Sequence, residues 1–182
     1  MVKYMRIVIF SIAALLGLGT VGAVTYSKLD TLGAKKLAEP YEFVSLRDRE
    51  RQLRCMADNI YYEAANEPAE GKIAVAQVVM NRVESGQFPN DPCKVIYQRN
   101  VFYSSTVCQF TWYCDGSVKT RPIRRDLYEE SMLAAKMVLM EGFRLPGLKD
   151  AMFYHADYVN PQWRLDRVAK IGRHIFYKPR EA

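Results

Sequence analysis

The chain predicts an α+β domain, predominantly helical with a small β element, preceded by an N-terminal apolar helix. Three observations carry that reading: an uncharged run from Ile7 to Ser27, three later segments with apolar residues at helical spacing, and two short strand-like runs near the C-terminus. With 182 residues, 49% hydrophobic and 25% charged, there is chain enough for one well-buried core and too little for two large domains.

The expected organisation is a signal-anchor segment over 1–28, a linker over 29–44 containing Gly33 and Pro40, and one domain over 45–182. At about 1.5 Å rise per residue, the 21 residues from Ile7 to Ser27 give roughly 31 Å of helix, enough to cross a bilayer core. Lys3 and Arg6 precede the run, so the positive-inside tendency keeps the N-terminus in the cytoplasm and exports the rest. Val21-Gly22-Ala23 offers small residues to a signal peptidase, but the run exceeds a usual h-region and favours an uncleaved anchor. Small or hydroxylated residues fill 10 of the 21 positions and gain little from lipid. This composition resembles the signal-arrest-release segments of some phage endolysins, with a plain permanent anchor as the alternative.

Ser45, followed three residues later by Asp48, is the expected cap of a first helix reaching about Asn66, with Leu46, Leu53, Met56, Ile60 and Glu63 on or near one face. Pro68 interrupts it, and a second helix opens near Ala69 and ends around Ser85-Gly86. Ile73, Val75, Ala76, Val78, Val79, Met80 and Val83 make this helix apolar nearly all round, the pattern of a central buried helix. Phe88 to Ser117 reads as a loop-rich lobe, Pro122 to Gly142 as a further helix, and 151–155 and 174–177 as strands. Cys55, Cys93, Cys108 and Cys114 all fall in the exported part and permit two disulfides in three pairings.

Glu63 is the candidate catalytic acid. It lies among Tyr61, Tyr62, Ala64 and Ala65 on a predicted helix, where burial raises a carboxyl pKa by disfavouring its charged form. Glu67, one helical turn later, is expected to push the same way with its negative charge, as a structural or pKa-tuning residue, with direct catalysis as the alternative.

The blocks NIYYEAANEPAEGKIAVAQVVMNRV, FPNDPCKVIYQ, CQFTWYCDG, MFYHADYVNPQW and IGRHIFYK resemble, in order and spacing, the SleB-type cell wall hydrolases, which include spore-cortex-lytic enzymes. The match spans nearly all of Arg54 to Lys178. The resemblance implies a lysozyme-like fold, cleavage of the peptidoglycan glycan strand by lytic transglycosylation, and the catalytic acid at Glu63. Protonation of the glycosidic oxygen would give an oxocarbenium-like species, and the muramic acid's own C6 hydroxyl would close on C1 to leave a 1,6-anhydro product. Sugar rings want flat aromatic faces and amide partners, so Tyr62, Gln109, Phe110, Trp112, Tyr158 and Trp163 are candidates, with Phe110 and Trp163 also suited to the core. Asn81 is a candidate for the substrate N-acetyl, for orienting Glu63, or for a helix-terminal hydrogen bond. His155 is a supporting candidate.

No cofactor or metal is expected. His155 and His174 are the only histidines, a zinc amidase needs a third ligand and a base, and the cysteine spacing lacks C-x-x-C. Removing the 5 basic and 3 acidic residues before Arg47 leaves 21 and 17, a net +4, which suits anionic polymers and is no nucleic-acid signature. The expected partners are peptidoglycan strands and, through residues 7–27, the bacterial inner membrane. The expected protein is a monomer with its catalytic domain in the periplasm, tethered or released, working as a phage endolysin. The alternatives are a bacterial wall-remodelling muramidase or amidase and, in another class, an anchored envelope protein that binds glycan without cutting it.

Overall fold

In the computed structural model, the described residues are 46–103 and 105–180. The proposed cap Ser45, the anchor over 1–28 and the linker over 29–44 lie outside them. Among the described residues no helix is long and apolar enough to cross a membrane.

Helix α1 (Leu46–Ala64) buries Met56, Ile60 and Ala64 at four-residue spacing, with Ala57 and Tyr61 beside them, so one stripe faces the core. It stops at Ala64 because Pro68 disfavours helical backbone at Glu67, and a turn closes instead through the Glu67 N–H to the Ala64 carbonyl at 3.0 Å. Helix α2 (Ala69–Glu84) opens directly after that proline. Ile73 through Val79 are all buried, as expected of a central helix. Each fully buried valine there contributes about 1.5–3 kcal/mol.

Two antiparallel elements complete the domain. A short helix α3 (Pro92–Ile96), capped by the Asp91 carboxylate on the Lys94 N–H, leads into the hairpin β1 (Arg99–Phe102) and β2 (Ser105–Cys108). A 3₁₀ turn (Thr111–Tyr113), a single-turn helix α4 (Ser117–Thr120) and helix α5 (Arg125–Leu139) follow, and α5 packs across α1 and α2. The chain ends in a three-stranded sheet of order β3-β5-β4, formed by β3 (Phe153–Ala156), β4 (Asp166–Ile171) and β5 (His174–Lys178).

The polar residues of α2 tie this sheet to the helices. Gln77 exchanges hydrogen bonds with the Leu145 backbone, at 2.6 and 3.1 Å. Buried Asn81 donates to the Leu148 and Ala151 carbonyls, both at 2.8 Å, and Arg82 Nε donates to the Met152 carbonyl. Segment 145–152 is thereby pinned along α2 before it enters β3.

Helices 1 and 2 and the final strand follow the predicted spans closely, whereas the lobe over 88–117 is more regular than expected. Its hairpin lacks the Asn-Gly or Asp-Gly signal of a tight turn and bends at Tyr103 with φ 48°. Strand β4 also escapes the pattern, because Asp166, Arg167 and Lys170 interrupt its apolar alternation. Of the three cysteine pairings, the bridges are Cys55–Cys93, joining α1 to α3, and Cys108–Cys114, closing the end of β2 onto the 3₁₀ turn.

Candidate active site

Glu63 lies in the last turn of α1, half-buried between two hollows. One, of ≈ 250 Å³, is walled by the α1–α2 turn, Arg121, Tyr158 and the β4–β5 turn with Arg173 and His174. The other, of ≈ 170 Å³, is lined by Arg82, Gln109, Phe110, Thr111 and Tyr154. A strand lying along both would pass over the carboxyl group.

Tyr154 holds that group in place, its hydroxyl donating to Glu63 Oε2 at 3.0 Å. Strand β3 aims Tyr154 at the acid because β5 covers its other neighbours, Phe176 packing at 5.5 Å and His174 at 5.1 Å. Burial raises the Glu63 pKa above the ordinary carboxylate value, opposed by the Tyr154 hydrogen bond and the charges of Arg82 and Arg121. The expected raised acid is therefore present. Asp115 adds to the upward shift.

Of the two parts expected of Glu67, structural and pKa-tuning, the geometry shows the structural one, beyond the end of α1. Its Oε2 accepts the Arg173 N–H at 2.9 Å, and its carbonyl accepts from the buried Lys72 ammonium. It latches the β4–β5 turn onto the α1–α2 turn. Asp157 is engaged by Lys170 and Arg173 at 3.0 and 3.5 Å, and Asp115 caps the Ser117 N–H.

The remaining candidates divide. Gln109 and Phe110 line the smaller hollow with Glu63, Phe110 lying buried beneath the Arg82 guanidinium at 5.3 Å. Tyr158, 76% exposed at the rim of the larger hollow, is an aromatic face a sugar can reach. Tyr62 stacks on Trp112 at 4.8 Å with Arg121 over its ring at 5.6 Å, so it is packed rather than offered as an open platform. Trp112 is a core residue, 3% exposed, whose indole N–H donates to Asn59. Asn81 braces the 148–151 backbone, as described above, and its side chain is spent there. His155 is a further correction: strand alternation turns it away from Tyr154, its ring nitrogens meet the Ala156 carbonyl and the Tyr177 hydroxyl, and it stacks on Tyr177 at 5.2 Å. Trp163 packs beside it on that outer face.

Tyr154, Arg82, Arg121 and Arg173 are not among the sequence candidates, and for His174 the sequence offers only a metal ligand or a hydrogen bond across the strands. Arg82 is 4% exposed and ringed by Phe88, Phe110 and Phe153, and burial lowers its pKa against the opposing pull of Tyr154 and Glu63. His174 is buried too, which lowers its pKa. An Arg just beyond the apolar run Val78-Val79-Met80 of a helix read as buried is the available signal for Arg82.

Fold and site together define a cleft built around a carboxyl raised by burial at a helix end. The chain belongs to the cell wall hydrolase family, whose sequence profile matches residues 66–177, beginning three residues after Glu63. It is 31% identical over 132 residues to the spore cortex-lytic enzyme of Bacillus cereus, covering 71% of this chain and 45% of that protein. The corresponding enzyme of Oceanobacillus iheyensis is 31% identical over 136 residues, covering 71% and 42%. The chain thus spans less than half the length of these curated relatives. Among solved structures, the catalytic domain of Bacillus cereus SleB matches with a TM-score of 0.52 and 29% identity, over 71% of this chain and 91% of that one. The catalytic domain of the germination-specific lytic transglycosylase SleB from Bacillus anthracis matches with a TM-score of 0.51 and 31% identity, over 70% and 93%.

Proposed function

We propose that this protein degrades peptidoglycan by cutting the β-1,4 bond between N-acetylmuramic acid and N-acetylglucosamine as a lytic transglycosylase. The observation that carries the reading is Glu63, raised by burial and oriented by Tyr154 between two hollows. Protonated, it delivers its proton to the departing glycosidic oxygen. Ionised, it takes the proton of the muramic C6 hydroxyl as that oxygen closes on C1. Tyr154 and the charges of Arg82 and Arg121 favour the ionised form between the two steps, which keeps a buried carboxylate accessible.

A retaining hydrolase would instead set a second carboxylate about 5 Å from the acid as nucleophile. Glu67, the other acid of the larger hollow, is held by the Arg173 backbone. Mass spectrometry of digested sacculi separates the outcomes, because an anhydro product is one water lighter than a hydrolysed one. A glycan binder without activity releases neither, and an amidase releases peptides. Glu63→Gln is expected to lower turnover by about 10²–10⁴-fold, the usual worth of a general acid. Undiminished digestion by that variant would sink the mechanism.

The weakly apolar run over 7–27 supports a role as an endolysin held at the inner membrane with its catalytic domain in the periplasm and later released. The even number of cysteines in the exported part fits that compartment.

A further inference from the structure

Besides the two hollows that flank Glu63, others open around the end of α1, and a third among them shares most of its wall with the larger of the two. The third, of ≈ 420 Å³, is lined by Tyr61, Ala65, Asn66, Arg121, Pro122, Arg124 and Leu127, and it shares Tyr61, Ala65, Asn66 and Arg121 with the larger hollow beside Glu63. A linear glycan needs one opening on each side of the acid, so this third space is a branch from the path of the strand. Its wall is braced: the Tyr61 hydroxyl donates to the Pro122 carbonyl and accepts from the Arg124 N–H at 2.9 Å.

We propose that this branch is a subsite for the acidic stem peptide that hangs from the lactyl group of muramic acid, with Arg121 as the residue that reads its carboxylates. The assignment rests on the glycan-cleaving reading above. Arg121 stands at the junction of the branch and the cleft, fixed by its Nη1 hydrogen bond to the Tyr62 carbonyl at 3.2 Å and by the Tyr62 ring beneath it. Among the described residues it makes no close ion pair, its charge acting on Glu63 and Asp115 from further off, whereas Arg124, further along the same wall, is paired with Asp126 at 2.7 Å. Across the cleft Arg173 adds a second cation, shared with Asp157. Leu127 and Pro122 supply apolar surface of the kind that alanine methyls cover. Carboxylates on a short alanine-containing chain match that set, and a sugar ring, lacking charge, does not use it. An exposed guanidinium preset by backbone and ring loses little freedom when it forms charge-assisted hydrogen bonds.

The test compares kcat/KM of the full chain on peptide-bearing glycan strands, freed from cross-links by an endopeptidase, and on the same strands stripped of peptide by an amidase, with the lactyl carboxylate this exposes then capped as its methyl amide. The expected ratio favours the peptide-bearing strands by about ten-fold, the size of one charge-assisted hydrogen bond. It should fall as salt is raised. Arg121→Gln is expected to bring the ratio close to one, and Arg121→Lys to retain most of it. Equal cutting of both substrates by the wild type, or an unchanged ratio in Arg121→Gln, overturns the subsite and leaves the glycan-cleaving reading intact. Fragments from neither substrate overturn that reading, and the subsite with it.

Discussion

Glu63 shows how a single residue carries opposed demands. Burial disfavours the charged form of its carboxyl, while the Tyr154 hydrogen bond and the charges of Arg82 and Arg121 favour it. Because its folded pKa lies above the unfolded one, its contribution to stability is fully present below the ordinary carboxylate pKa and is lost as pH rises through the raised value. Glu63→Gln is therefore expected to match the wild-type melting temperature in acid and to exceed it near neutrality, which thermal scans across pH will read. Tyr154→Phe removes a hydrogen bond that lowers the Glu63 pKa, so the alkaline limb of the rate profile should move to higher pH. The lost bond should cost about 0.5–1.5 kcal/mol of stability. An alkaline limb that stays put or moves down would exclude Tyr154 as the group that tunes the acid.

At the scale of elements, the cleft is a joint between the α1–α2 turn and the β4–β5 turn, and Glu67 is its latch. The residue acts through a hydrogen-bond acceptor, so Glu67→Gln should keep most activity while Glu67→Ala raises KM by disordering the wall that carries Arg173 and His174. A Glu67→Gln variant as inert as Glu63→Gln would instead mark Glu67 as a second catalytic carboxylate. Gly172 belongs to the same joint: at φ +56° a side chain there is strained and would run into Glu67. The disulfides brace elements unequally. Cys55–Cys93 closes a loop of 38 residues and Cys108–Cys114 one of 6, so chain entropy assigns about 4 and about 2 kcal/mol to them. Chemical denaturation of the two paired Cys→Ser variants should show that order.

For the whole molecule, the proposed anchor over 7–27 governs where the cleft can work. A segment so poor in large apolar residues sits near the balance between bilayer and water, and a release role predicts that depolarising the membrane moves intact, uncleaved protein into the soluble periplasmic fraction. A permanent anchor predicts no such movement, and cell fractionation reads the difference. On that proposal, the net +4 of the chain from Arg47 onward would assist adsorption to an anionic wall.

Much of the helical frame was legible because its signals are local. Apolar spacing marked α1, α2 and α5, Pro68 marked the break between the first two, and the aromatic setting of Glu63 marked the acid. The partners of that acid were not legible, for they are joined only by folding: Tyr154 lies 91 residues beyond Glu63, and Arg173 lies 106 beyond Glu67. Nor could spacing distinguish aromatics that stack inward, such as Trp112, from one left at the rim, such as Tyr158, since both look alike in a loop. The sequence by itself determined the helices, the place of Glu63 among aromatics and the family pattern, because periodicity and motif are properties of neighbours along the chain. Only the tertiary structure decided which hydroxyl and which guanidinium groups surround Glu63, because a pKa and a cleft depend on groups brought close in space.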